Sequence, residues 1–387
     1  MPEARPLKGL TVLDVSQGIA GPSCAGHFAE YGARVLKIEP LEGDWIRNLG
    51  TPIAGMSSQT IAYNRGKESI ALDLKHPEAV RVALKLASRA NVFIENARPG
   101  AMERLGLGFE AVKAVSPDIV YVSVSGWGFR GPNRTLPMVD TVGQAISGLM
   151  SVTLSRDGTP TKINTSLVDV TTGLYAFQAA AMALWGRKPG DGAQHIDVSL
   201  FQASAHLQSP NVIEYGHVGR PPGLYNPPAG NYRTSDGWLA ITLVNEAQFA
   251  AICAAVDRPE LARDPRFNSF QQRKANIEEL TRLLDAALAA RTTAEWVERF
   301  SKAGALASRI YSYGDWLSDP HVNAVDAAPS YMLDTGDTVR VPHLPGSEAF
   351  HAPVPRKGQH TRDLLALAGL DDDEIAGLLS RNIASTP

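Results

Sequence analysis

The stretch LTVLDVSQGIAGPSCAGHFAEYGARVLKIE, residues 10–39, decides the fold. Its two ends, LTVLDVS (10–16) and ARVLKIE (33–39), are short apolar runs rich in β-branched residues, as strands buried on both faces are. Between them, residues 22–32 carry a proline in the first turn and a glycine at the end, as helices do. The stretch therefore predicts a strand–helix–strand unit with parallel strands.

The same alternation continues to about residue 205. Further apolar runs occur at NVFIEN (91–96), IVYVSVS (119–125) and HIDVSL (195–200), and a helical pattern covers residues 77–90. Strands that alternate with helices in this way indicate a mainly parallel sheet. We therefore expect a large α/β domain in residues 1–205.

The composition changes after residue 205. Residues 216–237 are rich in Gly, Pro, Tyr and Asn, which is typical of an extended connection. The strand pattern WLAITLV (238–244) and several helical patterns follow. We expect a linker at 206–235, a smaller α+β middle domain at 236–320, and at 321–387 a second linker and a C-terminal return to the large domain.

Composition narrows the class of protein. The 387 residues include 37 Lys+Arg and 40 Asp+Glu, for a net charge of −3, which argues against nucleic acid as a partner. Two cysteines far apart, Cys24 and Cys253, indicate a reducing compartment, so we expect a cytoplasmic protein. The N-terminal residues resemble no signal peptide, and the apolar stretch 173–186 is shorter than the ~20 residues of a membrane span, so we expect no membrane partner.

Several common catalytic motifs are missing from the sequence. No GxGxxG follows the first strand pattern, and the sequence contains no GxxxxGK[ST], HExxH, CxxC or GxSxG. Glu39, at the end of the second strand pattern, keeps open a weak interpretation as the ribose-binding acid of a dinucleotide enzyme. The nine histidines are scattered, so we expect no metal.

Three polar features remain, and each also has a purely structural interpretation. The turn 16–22 lets a ligand approach backbone N–H groups at a helix start. Lys75 follows the segment 72–74, and Asn96, Arg98 and Arg104 follow the third strand pattern. Grouped at the carboxyl ends of strands, they suit a phosphorylated nucleotide. The alternatives are a packing turn and ordinary surface charge.

Asp169 opens the apolar helix pattern 170–186 and is the third feature. An aspartate with an ordinary pKa of about 3.9 is ionised at pH 7 and can attack a carbonyl carbon without a base. The N–H groups of the helix start could then stabilise an oxyanion. The structural alternative is an acid that complements the helix dipole or forms a capping box with Ser166.

The turn, the basic residues and Asp169 occur along the chain in an order that resembles the class III CoA-transferase family. That family includes carnitine-CoA-transferases and formyl-CoA-transferases. The motifs that carry the resemblance are LKGLTVLDVSQGIAGP, GARVLKIEPLEGD, NRGKESIALDLK, NVFIENARPGAMERLGL, VSVSGWGFRGP, SLVDVTTGLYAF, HIDVSL, GNYRTSDGW, DPRF and GQHTRDLLALAGLDDDEI. The resemblance implies a Rossmann-like large domain, a small middle domain, and an interlocked homodimer in which each chain forms a ring threaded through the other.

The resemblance also implies a reaction and its site. Asp169 would attack an acyl-CoA donor, with succinyl-CoA plausible, and form an aspartyl-CoA thioester that passes CoA to a short carboxylic or dicarboxylic acid. Asp140 would lie beside the acyl group. The implied CoA-binding positions are Ile19, Ala20, Leu72, Lys75, Asn96, Ala97, Arg98 and Arg104. Candidates for pairing with a second carboxylate of the acid are Arg47, Arg130, Arg134 and Arg233.

The chain departs from the formyl-CoA-transferases at several positions. Ile19 stands where those enzymes carry Gln, Pro40 and Pro137 replace basic residues, and VNEAQF (244–249) replaces a glycine-rich flap. Two other functions stay open: an α-methylacyl-CoA racemase-like isomerase and a non-catalytic CoA-binding protein. The racemase would need two acid–base groups, and Val139, which precedes Asp140, cannot move a proton.

Overall fold

The computed structural model describes residues 5–155, 157–188, 190–220, 223–347 and 350–387. The chain divides into two compact units, Met1–Ile213 with Asp326–Pro387, and Glu214–Val325. The domain and linker boundaries expected from the sequence stay a prediction.

Strands occur in both units. In chain order they are β1 Thr11–Asp14, β2 Arg34–Glu39, β3 Pro52–Ile53, β4 Met56–Ser57, β5 Lys67–Leu72, β6 Val92–Glu95, β7 Val120–Ser125, β8 Gln194–Ser199, β9 Gly230–Arg233, β10 Trp238–Thr242, β11 Leu306–Arg309, β12 Ser330–Met332, β13 Thr338–Arg340 and β14 Ala384–Ser385.

Helices account for most of the remaining regular structure. In chain order they are α1 Ala20–Glu30, α2 Ser58–Asn64, α3 Pro77–Ala87, α4 Ala101–Leu105, α5 Phe109–Val115, α6 Asp140–Ile146, α7 Leu149–Val152, α8 Leu167–Gly186, α9 Leu200–Leu207, α10 Ser209–Val218, α11 Glu246–Ala255, α12 Phe270–Ala275, α13 Ile277–Leu288, α14 Thr293–Ala303, α15 Tyr313–Ser318, α16 Pro320–Ala324, α17 Thr361–Leu367 and α18 Asp372–Ser380. Short 3₁₀ helices cover Trp45–Asn48 and Pro259–Ala262.

The large unit is built on a seven-stranded sheet in the order β14-β5-β2-β1-β6-β7-β8. All neighbouring strands are parallel except β14, which runs antiparallel to β5. Successive side chains of β1 face opposite sides, so Leu13 packs into one apolar core and Val12 into the other. The parallel sheet predicted from residues 10–39 is therefore confirmed.

Strand β5 is absent from the sequence prediction. Its first residue, Lys67, is a fully buried charge, and Ser69 is a buried polar residue, so the apolar run is interrupted. Helix α10 and strand β9 also lie in a region read as an extended connection. For β5, pairing with β2 and β14 stabilises a strand that the local pattern does not indicate.

The second unit combines an antiparallel sheet in the order β11-β10-β9 with a group of helices. Its core includes side chains of α11, α13 and α14. The buried Arg273 lies 4.2 Å from the ring centroid of Phe249 and 4.5 Å from that of Phe270, and it pairs with Glu246 at 2.7 Å. A cation with these partners is sufficiently compensated to be buried.

Helix α8 packs on the large sheet through one face and leaves the other uncovered. Its buried side recurs at helical spacing and consists of Val168, Thr172, Gly173, Ala176 and Ala180. On the opposite side Leu174, Met182 and Trp185 are exposed, Trp185 by 87%. Helix α10 has no buried residue at all.

Among the described residues, one helix, α8, is long and apolar enough to span a membrane, judged on length and composition only. This helix has 20 residues, as many as a membrane span needs. The short length of the stretch 173–186 therefore no longer supports the expectation that the protein has no membrane partner. The same length and composition also occur in core helices of soluble proteins, and α8 contacts α1, β7 and β8.

Two buried lysines connect the carboxyl end of β1 to its neighbours. The Lys67 Nζ lies 2.8 Å from Asp14 Oδ2 and donates to the Pro22 carbonyl at 2.9 Å. The Lys37 Nζ lies 3.0 Å from Asp44 Oδ2 and 3.9 Å from Asp14 Oδ2. All four charged side chains are inaccessible to solvent. Each charge therefore depends on its partners for solvation.

Replacing Lys67 tests this dependence. We expect Lys67→Met to lower the free energy of unfolding by about 3–5 kcal/mol, because it leaves the buried Asp14 without its nearest cation. Glu68→Gln, at the next position of β5, is a matched control because Glu68 pairs with Arg34 at the surface. The control should cost less than about 1 kcal/mol. Equal losses in urea denaturation would contradict the expectation.

Candidate functional site

The turn after β1 is held by side chains rather than by helix or strand contacts. The Ser16 N–H donates to Asp14 Oδ1 at 3.0 Å, and the Gly18 N–H donates to Asp44 Oδ1 at 3.0 Å. Gly18 has a φ of +80°, and a Cβ added there would lie 2.5 Å from the Trp45 ring. The turn therefore requires glycine at this position.

Asn96 completes this turn from the neighbouring strand. Its Oδ1 accepts the Gln17 N–H at 2.9 Å, and its Nδ2 donates to the Gln17 carbonyl at 2.6 Å. The next residue, Ala97, donates its N–H to Glu95 Oε2 at 2.7 Å. The Asn96 amide, expected to contact CoA, thus holds the turn in place.

A cavity of about 440 Å³ opens at the carboxyl ends of β1, β2 and β5. It includes two of the expected cofactor residues, Leu72 and Lys75, together with Pro40. Gln17 lines the same cavity and connects it to the turn. Ligands of parallel α/β sheets bind at this edge.

Basic groups are exposed around this part of the sheet. Lys75, Arg98 and Arg104 are exposed. None of the three side chains forms an ion pair with a residue that the structure describes. They are therefore available for an anionic ligand.

Asp169 lies in the first turn of α8, next to the start of α1. One turn further along α8, a Cβ added to Gly173 would lie 2.7 Å from the Ala20 carbonyl oxygen and 2.9 Å from Ser23 Cβ. Only glycine allows this approach of the two helices. The structure therefore brings the buried Ile19 and Ala20 close to Asp169.

Asp140 holds the start of α8. Its Oδ1 accepts the N–H groups of Val168 at 2.7 Å and Asp169 at 3.3 Å. Its Oδ2 accepts the side-chain amide of Gln144 at 2.7 Å, and that amide also donates to the Ile163 carbonyl at 3.1 Å. Gln144, absent from the sequence expectations, thus ties Asp140 to the segment that leads into α8.

The N–H groups at the start of α8 are already used. In addition to the two bound by Asp140, the Leu167 N–H donates to the Thr165 carbonyl at 2.8 Å and the Val170 N–H to the Ser166 carbonyl at 2.9 Å. In this structure none of these four groups is free for an oxyanion, which speaks against the role expected for them. The suggested capping box is also absent, since the Ser166 side chain makes no capping hydrogen bond.

Burial raises the pKa of Asp169 to about 7, and the neighbouring Asp140 carboxylate adds to the rise. The Asp169 carboxyl thus departs from the ordinary, fully ionised carboxylate expected from the sequence. A carboxylate with a raised pKa is a stronger nucleophile when ionised, because it is poorly solvated.

Tyr63 belongs to the same surroundings and was missed in the sequence. The pKa of its phenol is raised, first by burial and then by the carboxylates of Asp169 and Asp140. Its backbone carbonyl lies 3.1 Å from the position of a Cβ on Gly26, so α2 packs closely on α1. No motif marks a tyrosine in this role.

Of the four arginines expected to bind a substrate carboxylate, Arg47 already pairs with Glu39. Its Nε donates to Glu39 Oε2 at 2.7 Å and its Nη2 to Glu39 Oε1 at 2.8 Å. The same pairing leaves Glu39 poorly suited to a ribose. Arg130 and Arg134 are exposed on the segment between β7 and α6, and Arg233, in the other unit, lies over the Trp238 ring.

Among the described residues, no group of three or more His, Cys, Asp or Glu side chains is arranged to hold a metal ion.

Known proteins resemble this chain over nearly its whole length. A family model described as CoA-transferase family III matches residues 7–361. The chain is 32% identical over 403 residues to a succinyl-CoA–L-malate CoA-transferase beta subunit from Chloroflexus aurantiacus, with 98% of each chain covered. It is 32% identical over 376 residues to a succinyl-CoA:glutarate CoA-transferase from Mus musculus, covering 93% of this chain and 86% of that protein.

A solved structure supports the same comparison. The crystal structure of a CAIB/BAIF family protein from Brucella suis matches with a TM-score of 0.82 at 29% identity, covering 94% of this chain and 99% of that one.

The raised pKa of Asp169 has a consequence for stability. The folded chain holds this proton with a pKa of about 7, against about 3.9 when unfolded. The Asp169 contribution to stability therefore falls as the pH rises from about 4 to about 7. We expect uncharged Asp169→Asn to match the wild type near pH 4 and to exceed its free energy of unfolding by about 2–4 kcal/mol at pH 8.

The measurement is urea denaturation of both proteins at several pH values. Asp118→Asn, an exposed aspartate before β7, is the matched control and should show no such divergence. A constant difference between Asp169→Asn and the wild type from pH 4 to 8 would contradict the raised pKa.

Proposed function

The chain belongs to CoA-transferase family III and is an enzyme of that class, and on this premise we propose that it moves CoA from succinyl-CoA to a short dicarboxylic acid. Succinyl-CoA is the donor in the names of both relatives, and their acceptors, malate and glutarate, are dicarboxylic acids of four and five carbons. The observation that carries the proposal is a partly buried carboxylate, Asp169, beside the turn that leads to the cavity.

We propose that CoA occupies the cavity at the carboxyl ends of β1, β2 and β5. Its phosphates would pair with Lys75, Arg98 and Arg104, whose side chains are unpaired among the described residues. The pantetheine arm would then follow the turn from Gln17, which lines the cavity, to Ala20, which contacts α8.

The proposed reaction passes through the Asp169 carboxylate. One Asp169 oxygen attacks the thioester carbon, a C–O bond forms, the C–S bond breaks, and CoA leaves as the thiolate. The thiolate attacks the Asp169 carbonyl carbon of this anhydride, which releases succinate and leaves an aspartyl-CoA thioester. The acceptor carboxylate then attacks that thioester, and the same steps run in reverse.

Asp140 positions the nucleophile in this scheme. It fixes the first turn of α8 through two N–H groups, and its charge keeps the pKa of Asp169 high. Both of its oxygens have hydrogen-bond partners. This arrangement disfavours the racemase alternative, in which a second group must exchange protons with the substrate. Deuterium exchange at the α carbon of a 2-methylacyl-CoA in D₂O, without an acceptor acid, would favour the racemase.

Substitution of Asp169 tests the covalent route. With succinyl-CoA and a panel of C4–C5 dicarboxylic acids, we expect Asp169→Asn to lower kcat by at least about 10³-fold and Asp118→Asn to leave it unchanged. Wild-type protein quenched during turnover should carry a CoA adduct on Asp169 in peptide mass spectrometry. Near wild-type turnover by Asp169→Asn, or an unmodified Asp169 in the quenched wild type, would overturn the mechanism.

Lys75 tests the position of CoA. We expect Lys75→Ala to raise KM for succinyl-CoA by about 5- to 30-fold with little change in kcat, because a charge-assisted contact to phosphate is lost from ground and transition states alike. Lys85→Ala removes a lysine of α3 that lies outside this cavity and is the control. An unchanged KM for Lys75→Ala would place CoA elsewhere.

We propose that the enzyme is an interlocked homodimer. The support is the uncovered apolar side of α8, with Leu174, Met182 and Trp185, and helix α10, which buries none of its residues. Such a surface is typical of a permanent interface rather than of a monomer. The free thiols of Cys24 and Cys253 are consistent with the further proposal of a cytoplasmic protein.

Subunit exchange distinguishes threaded chains from a simple dimer. Two preparations with different tags should form no mixed dimers on long incubation in native buffer, because threaded rings separate only by unfolding. They should form mixed dimers after joint denaturation and refolding. A monomer in ultracentrifugation, or rapid native exchange, would contradict the proposal.

A further inference from the structure

The proposed chemistry needs hydrogen-bond donors that the start of α8 does not provide. When Asp169 attacks the thioester, negative charge develops on the acyl oxygen, and enzymes stabilise such charge with fixed donors. The N–H groups of residues 167–170 are all engaged within the protein. A donor must therefore come from another element that faces Asp169.

Helix α2 supplies a polar group at this place. The Tyr63 ring is partly buried, and its hydroxyl makes no hydrogen bond with any residue that the structure describes. Its backbone is fixed on α1 at Gly26, and α1 in turn contacts α8 at Gly173. The Asn64 side chain at the end of α2 also accepts from the buried Lys67 at 3.0 Å. These contacts position α2 relative to Asp169.

A second group lies on the same face of α2. Gln59 precedes Tyr63 by four residues, so the two side chains are neighbours on the helix surface. The Gln59 Oε1 is buried and has no hydrogen-bond partner among the residues that the structure describes. A buried acceptor without a donor costs free energy unless a ligand supplies one.

We propose that Gln59 and Tyr63 form the part of the site that contacts the acid: the Tyr63 hydroxyl donates to the carbonyl oxygen attacked by Asp169, and the Gln59 carbonyl accepts from a hydroxyl on the acid. The site would then favour dicarboxylic acids that carry a hydroxyl group over those that do not. This inference rests on the proposed CoA transfer. It adds a hydrogen-bond donor for the acyl oxygen that gains negative charge, and it predicts which acids the site prefers.

The Tyr63 hydroxyl stays a donor throughout the reaction. Burial and, after it, the carboxylates of Asp169 and Asp140 raise the pKa of the Tyr63 phenol, so at neutral pH it keeps its proton. No proton is transferred in the proposed step: the phenol O–H hydrogen bond shortens as the substrate oxygen gains charge and relaxes when the C–S bond breaks.

The experiment compares succinyl-CoA transfer to glutarate with transfer to malate in the full-length wild type, Tyr63→Phe and Gln59→Leu. We expect Tyr63→Phe to lower kcat for both acids by about 10- to 100-fold, with KM for succinyl-CoA little changed. We expect Gln59→Leu to lower kcat/KM for malate at least about 10-fold more than for glutarate. Tyr31→Phe, which removes a hydroxyl from the end of α1, should match the wild type.

Unfolding midpoints equal to that of the wild type show that the variants are folded. Wild-type kcat in Tyr63→Phe, or an equal loss for both acids in Gln59→Leu, would overturn this inference and leave the proposed function intact. A wild-type enzyme that transfers CoA to neither acid would instead remove the proposed function on which the inference rests.

Discussion

The carboxyl ends of β1, β2 and β5 are held together by two lysines with no access to solvent. Lys67 and Lys37 each bind an aspartate and a backbone carbonyl, and Asp44 in turn accepts the N–H of Gly18. Because charges in an apolar interior tolerate little displacement, this network fixes the turn on which α1 begins. The position of α1 then determines how closely α8 and Asp169 approach the cavity.

The Asp169 carboxylate lies in surroundings that oppose its ionisation. Asp169 is partly buried, lies beside a second carboxylate, and has its own N–H engaged with that neighbour. Functional groups held in this way commonly reduce stability, because the same poor solvation that raises their reactivity opposes folding. The network around Lys67 and the capping of α8 by Asp140 supply the rigidity that such a site requires.

The sequence predicted the parts of the molecule in which neighbouring residues decide the structure. The unit of residues 10–39 has two mainly apolar runs on either side of a helical pattern, and its strands and helix lie within two residues or so of where the pattern places them. Strand β5 was missed because Lys67 faces the interior, which no local pattern reveals. The partners of Arg47 and of the α8 N–H groups depend on folding: Asp140 lies 28 residues from Val168, and only the structure brings them together.

The closure of the large sheet carries a consequence for synthesis in the cell. The Gly358 N–H binds Ser69 Oγ across 289 residues, and β14 covers the outer edge of β5. The outer edge of β5 therefore stays unpaired on the ribosome until β14 is synthesised at the end of the chain. Residues 214–325 are synthesised earlier and pack among themselves. Such an exposed strand edge is a target for aggregation and for chaperones during translation.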